Sequence, residues 1–90
     1  MEISFDPAKR AATLAARGPD FADAGRLFAG LTYTRPDDRF DYPEQRFQTF
    51  GLLDERLVMV VWSDAESGRR IMSMRKCNER EQQCFGQRLG

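Results

Sequence analysis

The chain has 90 residues, of which 41% are hydrophobic and 31% are charged. This length allows one domain with one modest core, and the composition excludes a disordered chain. The 14 basic and 14 acidic side chains cancel, so the net charge does not indicate a polyanionic partner. No apolar run approaches the roughly 20 residues that a membrane span needs, and the first residues lack the pattern of a signal peptide. We therefore expect a cytoplasmic protein.

Residues that commonly bind metals are scarce in this chain. It has no His, and its two Cys residues, Cys77 and Cys84, stand seven apart with no second pair. On a helix this spacing puts both thiols on one face, two turns apart, which is too far for a disulfide. Zinc binding and hydrolase mechanisms with a His base are therefore not expected. We predict no metal and no cofactor, and the thiols are either small core residues or free.

The first third of the chain predicts one strand and two helices. Residues 2–5 alternate polar and apolar side chains, as in a strand. Residues 6–18 have Asp6 as an N-cap and Gly18 as a stop signal, which predicts a helix. The small apolar face of this helix consists of Ala8, Ala11, Ala12 and Ala15. Residues 20–28 predict a second, shorter helix that begins at an Asp cap.

The rest of the chain predicts strands and one more helix. Four strands are expected, over residues 31–34, 46–53, 56–63 and 69–75. Residues 35–45 contain two Pro and several acidic side chains, which indicates a loop. Asn78 and Glu81 have the spacing of a capping box that opens a C-terminal helix. The order predicts an α+β domain, with an antiparallel sheet of four to five strands, two N-terminal helices and one C-terminal helix.

Basic residues concentrate around the last predicted strand. Residues 69–80 contain five basic side chains and one acidic one, and the whole chain has 12 Arg against 2 Lys. Arg can bind phosphate through two parallel hydrogen bonds. Together with Glu44 or Arg46 of a neighbouring strand, this strip could therefore hold a phosphodiester. The alternative is that these charges protect an edge strand against aggregation.

Strict alternation of side chains along the last strand makes a specific prediction. It places Arg69 and Arg75 on the same face of the sheet, together with Ile71. Met72 and Met74 then lie on the other face, and we expect them in the core. Under this pattern Arg75 projects from the open face of the sheet, while Arg70 and Lys76 share the side of the two methionines.

Aromatic residues have two interpretations. Phe40 and Tyr42 lie near charged residues in the predicted loop, where they could stack on unpaired bases. They could equally close the loop onto the core, which we favour. Trp62 ends the most apolar strand, and we expect it to pack in the core rather than form a binding platform.

Several segments, in order, resemble the BrnT toxin family. The opening ISFDPAKRAATLAARGPDFADAGRLF is similar to that family's strand, Phe-Asp-Pro-Ala-Lys start and Ala-rich helix. EQRFQTFG is similar to its Glu-x-Arg-Phe strand, and RLVMVVWS to the apolar strand that follows. RRIMSMRKCNERE is similar to its Arg-Ile-x-Ser-x-Arg-Lys ending. The ordered set covers residues 3 to about 85.

The resemblance implies a toxin of a type II toxin–antitoxin pair with a RelE-like fold. Such a toxin is a metal-independent endoribonuclease that cleaves RNA and arrests growth. It is neutralised by a ribbon-helix-helix antitoxin encoded next to it. The pair binds operator DNA only through the antitoxin, and the toxin often forms a homodimer.

The resemblance also indicates site residues. The residues that we expect to be catalytic are Glu44, Arg46, Arg70 and Arg75. The residues that we expect to bind RNA are Lys9, Arg69, Lys76 and Arg80. With this resemblance, an RNA-facing role for the cationic strip is favoured over protection of an edge.

The chain departs from the family pattern at two His positions. Arg17 stands where the family commonly has one His, and Trp62-Ser63 where it has another; Phe85 replaces a frequent Tyr. His is the side chain best suited to proton transfer near neutral pH. Three hypotheses follow: an active ribonuclease, a catalytically silent protein that serves as a co-repressor or antitoxin sink, and an RNA-binding protein without cleavage.

Overall fold

The computed structural model describes residues 2–86, and each predicted strand and helix is present. The elements in chain order are β1 (Glu2–Phe5), α1 (Pro7–Ala15), a 3₁₀ turn (Phe21–Asp23), α2 (Ala24–Ala29), β2 (Thr32–Pro36), β3 (Arg46–Leu53), β4 (Arg56–Ala65), β5 (Gly68–Lys76) and α3 (Glu79–Phe85). The α+β class is therefore confirmed. In this part of the chain no helix is long and apolar enough to cross a membrane.

Helix starts follow from local side-chain hydrogen bonds. Asp6 accepts a bond from the Ala8 amide at 2.9 Å, as the N-cap of α1. Asn78 accepts from the Glu81 amide at 2.8 Å, and Glu81 accepts from the Asn78 amide at 3.0 Å. This reciprocal pair is the predicted capping box of α3. Helix α1 ends earlier than predicted, because Arg17 adopts a left-handed backbone with φ of 62°.

The five strands form one sheet in the order β1-β5-β4-β3-β2. Neighbours are antiparallel except β1 and β5, which run parallel. The sheet is therefore mixed rather than purely antiparallel. The chain crosses from one edge of the sheet to the other between β1 and β2, and β5 returns to lie beside β1. Strand β4 is central, and its residues from Leu57 to Ser63 are all buried, which explains why it is the most apolar strand.

One face of the sheet, here the core face, packs against the helical segments between β1 and β2. Its cluster joins buried side chains from the helical region and three strands: Phe21, Ala24, Leu27, Leu53, Val58, Val60, Trp62, Ile71 and Met74. The expected packing role of Trp62 is confirmed, since it is 6% exposed. The predicted small apolar face of α1 is not buried, because no residue of α1 is. The larger side chains of the 3₁₀ turn and α2 cover the sheet instead.

The opposite face is covered at one end by α3. Its smaller cluster contains Phe50, Leu57, Met59, Val61 and Cys77, with Tyr33, Met72 and Phe85 packed against them. Helix α3 docks through Phe85, whose ring stacks on that of Phe50 at 4.1 Å between centroids. The remainder of this face carries arginines, and we call it the arginine face.

A bulge in β5 changes which side chains share a face. Val61 of β4 pairs with Ser73, but the next residue, Trp62, pairs with Ile71. The extra residue, Met72, lies on the arginine face, while Met74 stays on the core face. The prediction that Met72 and Met74 share a face is therefore wrong, and strict alternation fails at this point.

Candidate nucleic-acid interface

Two arginines flank a serine in one row across the arginine face. Arg46 of β3 pairs with Ser63 of β4, and Ser63 pairs with Arg70 of β5. Because neighbouring strands lie about 4.8 Å apart, the two arginine Cα atoms are roughly 10 Å apart. Ser63 is 5% exposed, so it forms the floor between two long cationic side chains. This spacing allows both guanidinium groups to approach one phosphate from opposite sides.

The surroundings of the two arginines differ. The Arg46 guanidinium lies over the Tyr42 ring, 4.0 Å from its centroid, and Arg46 Nε donates to Glu44 at 3.1 Å. Arg70 is exposed, and within residues 2–86 no hydrogen bond or ion pair engages it. Arg46 is therefore held in place, whereas Arg70 is available to an incoming anion.

Arg75 forms a two-bond ion pair on this face. Its two terminal nitrogens donate to the two carboxylate oxygens of Glu81 in α3, at 2.7 and 2.6 Å. The Arg75 hydrogen bonds and the Asn78 amide lower the pKa of Glu81 from its ordinary value of 4.5 to about 2, against the opposing effect of burial. Glu81 is therefore ionised at neutral pH and is a weak proton acceptor in this state.

Two further arginines face the same region from β2 and the loop that follows it. Arg35 Nε donates to Gln48 at 2.8 Å, and the Arg35 guanidinium lies 4.8 Å from the centroid of the Phe85 ring. Arg39 forms a two-bond pair with Asp37, at 2.8 and 3.0 Å. Asp37 also accepts from Gln48, the partner of Arg35, so Arg39 and Arg35 lie on either side of one hydrogen-bonded group.

The structure separates the other sequence-predicted residues from this surface. Arg69 lies on the core face, 4.3 Å from the ring centroids of both Phe28 and Trp62. The prediction that it shares a face with Arg75 is wrong, because the bulge lies between them. Lys76 pairs with Val58 of the core face. Lys9 in α1 and Arg80 in α3 are exposed, and within residues 2–86 no hydrogen bond or ion pair joins either to the arginine row.

The loop aromatics do not close onto the core as we expected. Phe40 is 68% exposed and packs edge-to-face on Tyr42, with 5.7 Å between centroids. The residue of this loop that is buried is Asp37, at 3% exposure. Tyr42 therefore serves as the stacking partner of Arg46 rather than as a core residue.

Sequence reasoning missed Arg35, Arg39 and the pairing of Glu81 with Arg75. A signal for Glu81 existed, since it is part of the predicted capping box. The other two become visible only when the register of β2 and β3 is known, because Arg35 faces Gln48 across that pair. Strand pairing is a property of distant segments, so no local pattern contains it.

The arrangement is chemically an anion site. Five guanidinium groups meet on one face, from residues 35, 39, 46, 70 and 75, with carboxylates that fix some of them. The cysteines take no part: burial raises the pKa of the Cys77 thiol to about 11, and Cys84 is exposed and unbonded. Among the residues that the structure describes, no three His, Cys, Asp or Glu side chains cluster in a way that could hold a metal.

A small α+β protein with a sheet face of convergent arginines fits the class of proteins that bind the phosphates of nucleic acid. A comparison with models of protein families identifies the family. Residues 5–81 match that of the ribonuclease toxin BrnT of type II toxin–antitoxin systems. The chain belongs to the BrnT family, and membership implies an antitoxin as its partner. A search of curated proteins finds no match.

Proposed function

We propose that this protein is a metal-independent endoribonuclease that binds and cleaves RNA on the arginine face. The observation that carries the proposal is the row in which Arg46 and Arg70 flank Ser63. RNA cleavage without a metal requires attack of a 2′-hydroxyl on the adjacent phosphorus. The new bond is O2′–P and the broken bond is P–O5′, so the phosphorane between them carries extra negative charge. Two guanidinium groups around one phosphate stabilise that charge.

The proton movements need a base and an acid. Glu44, which is paired with Arg46 at 3.1 Å, is our choice for accepting the 2′-hydroxyl proton. Glu81 is a poorer choice while Arg75 holds it, because its pKa is about 2. The O5′ leaving group takes a proton from water or from the conjugate acid of Glu44. Lys9 takes no part in these proton movements, since within residues 2–86 no hydrogen bond or ion pair links it to the row.

The remaining arginines hold the RNA on either side of the reacting phosphate. Arg75 pairs with Met59, four residues along β4 from Ser63, so its Cα lies about 13 Å from the row. That distance corresponds to a second phosphate farther along the strand of RNA. Arg35, Arg39 and Arg75 therefore bind and orient the substrate, while Arg46 and Arg70 act on the bond that breaks.

The test is an RNA-cleavage time course with purified protein and with the variant Arg70→Ala. We expect Arg70→Ala to lower the cleavage rate about 100-fold, as for the loss of one preorganised donor to an oxyanion. Arg69→Ala is the matched control: it removes the adjacent arginine of the same strand, but on the core face. It should keep most of the activity if it stays folded. Equal loss in two folded variants would contradict the assignment of the face.

A partner completes the proposal. We propose that the antitoxin is a ribbon-helix-helix protein encoded next to this chain and that the complex binds operator DNA only through it. Premixing the protein with the product of the adjacent gene should abolish RNA cleavage. Continued cleavage in a stable complex would show that the antitoxin does not cover the arginine face. The molar mass of the free protein in solution would show whether it forms a homodimer.

A second candidate is a catalytically silent member of the family that binds its antitoxin and acts as a co-repressor or sink. The absence of His from the whole chain favours it, since neither commonly observed His position retains an imidazole. Intact RNA at high protein concentration, together with complex formation, would support this candidate. A toxic phenotype that Arg70→Ala abolishes without unfolding would exclude it.

A further inference from the structure

We propose that Asp37 is a positioning residue that holds three arginines of the arginine face in their RNA-binding orientation. This inference rests on the proposed RNA-binding function and names a residue that acts through others. Asp37 touches Arg39 directly, reaches Arg35 through Gln48, and reaches Arg46 through Tyr42. Each link is a contact in the structure.

The carboxylate of Asp37 is the centre of this network. Its side chain is 0% exposed, while that of its partner Arg39 is 50% exposed. Arg39 donates to both of its oxygens, at 2.8 and 3.0 Å. Gln48 and the Tyr42 hydroxyl each donate to it at 3.4 Å. Four side-chain contacts therefore converge on one buried anion.

Each contact continues to an arginine. Gln48, held by Asp37 through its nitrogen, uses its oxygen to accept from Arg35 Nε at 2.8 Å. Tyr42, held through its hydroxyl, presents its ring to Arg46, whose guanidinium lies 4.0 Å from the centroid. The backbone of Asp37 also donates to the Arg46 carbonyl at 2.8 Å. Thus one carboxylate fixes a hydrogen-bond partner, a stacking surface and an ion pair.

The burial of this carboxylate is not what fold stability alone favours. Taking a charge out of water is unfavourable, and replacing a buried ion pair by well-packed apolar residues is often neutral or stabilising. The Arg39 hydrogen bonds lower the pKa of Asp37, so the group remains an anion at neutral pH. Its position under an anion-binding surface is also unfavourable for RNA by Coulomb's law alone. Orientation of the arginines is the gain that offsets both.

The direction in which RNA affinity changes in the variant Asp37→Asn tests the positioning role. Asp37→Asn removes a negative charge from beneath the surface, so electrostatics alone predicts tighter RNA binding. Loss of positioning predicts weaker binding. We would measure the binding of a short 2′-O-methyl RNA, which cannot be cleaved, by fluorescence anisotropy over a range of salt concentrations. We expect Asp37→Asn to bind about tenfold more weakly and with a salt dependence shallower by roughly one to two phosphate contacts.

Asp20→Asn is the matched control. Asp20 also forms a two-bond pair with an arginine, Arg10, at 2.7 and 2.9 Å, but away from the arginine face. Its RNA affinity should change less than twofold, which would show that the loss of an Arg–Asp pair is not itself the cause. Asp37→Asn and Asp20→Asn should both show a folded far-UV circular dichroism spectrum before their affinities are compared.

Two more variants keep the test decisive. Gln48→Leu removes only the link between Asp37 and Arg35, and we expect it to weaken RNA binding two- to fivefold. This variant tests the inference if Asp37→Asn does not fold. In an Arg39→Ala background, Asp37→Asn should weaken binding further, since Arg35 and Arg46 also depend on it. Unchanged or tighter binding by folded Asp37→Asn, or by Gln48→Leu, would overturn the inference while leaving the proposed function intact. Wild-type protein that does not bind RNA would overturn both.

Discussion

The two faces of the sheet are built from the same strands but differ in the side chains that they carry. The core face buries large apolar side chains, and Arg69 lies there with its guanidinium between two aromatic rings. On the arginine face, four arginines pair with carboxylates, an amide or aromatic rings, and the fifth, Arg70, has no such partner within residues 2–86. Neighbouring arginines in one strand therefore have different surroundings: Arg69 packs on two aromatic rings, whereas Arg70 is exposed on the arginine face. An arginine's role in this protein is set by its face rather than by its place in a basic run.

The largest expected effect tests the core face. Phe21 is 1% exposed and packs edge-to-face on Phe5. Phe21→Ala should lower the free energy of unfolding by about 3–5 kcal/mol, because it leaves a cavity in the core. Arg70→Ala on the other face should change it by less than about 0.5 kcal/mol. Urea denaturation of both variants measures the contrast, and similar losses would mean that the two faces are not separate in function.

A polar pair inside the core face comes next. The indole nitrogen of Trp62 donates to the Thr49 hydroxyl at 2.7 Å in a buried position. Thr49→Val should lower the free energy of unfolding by about 1–3 kcal/mol, since the shape is kept but the buried N–H loses its acceptor. Thr34→Val removes only the bond between Thr34 and Thr49 near the edge. A loss as large in this control would contradict the assignment to Trp62.

The pH dependence of stability tests how α3 is attached to the arginine face. The folded-state pKa of Glu81 is about 2, below its ordinary 4.5. The unfolded chain therefore binds the proton first, and the stabilisation is present above pH 4.5 and lost as pH falls towards 2. Glu81→Gln should remove about 1–2 kcal/mol at pH 7, after allowance for solvent screening. The difference between variant and wild type should disappear near pH 2.

That difference requires its own control, because the Arg10 pair lowers the pKa of Asp20 to about 2 as well. Asp20→Asn should therefore also flatten the acid limb of the stability curve. The two effects should add in the double variant, since the groups lie on different faces. A pH-independent difference for Glu81→Gln would mean that its carboxylate does not titrate with the folding equilibrium.

The smallest expected effect lies in a hairpin outside both faces. Asp54 and Glu55 join β3 to β4 with positive φ at both positions, 50° and 66°, as a type I′ turn requires. Glu55→Gly should raise the free energy of unfolding by about 0.5–1 kcal/mol, because Gly adopts this backbone without strain. Asp54→Gly should gain less, since it loses the Arg26 ion pair at 2.6 Å. Thermal denaturation of the two variants gives the comparison.

Local patterns predicted the elements well because their causes are local. The Asn78–Glu81 capping box, the turn between β3 and β4, and the apolar β4 all depend on residues near one another in the chain. The parallel pairing of β1 with β5 does not, since it joins the two ends of the domain. The RelE-like topology, which follows from the resemblance, remains a prediction.

The candidate site was predictable only in part, for the same reason. Arg46, Arg70 and Arg75 were found from the basic strip and the family resemblance, and the structure places them on one face. Arg35 and Arg39 were not, because their relation to the strip exists only through the register of β2 against β3. Asp37 lies in a loop whose acidic residues look equivalent in sequence, and burial alone distinguishes it.

The bulge at Met72 shifts the alternation of side chains along β5 by one residue. Arg70 and Arg75 are five positions apart, an odd number, so in an unbroken strand they would point in opposite directions. The single extra residue brings them to the same side while Ile71 and Met74 both stay in the core. Deleting Met72 would therefore leave an unbroken strand in which Ser73 follows Ile71 directly, and Arg70 and Arg75 would keep their common face. The bulge thus adds one side chain, Met72, to the arginine face without moving either arginine from it.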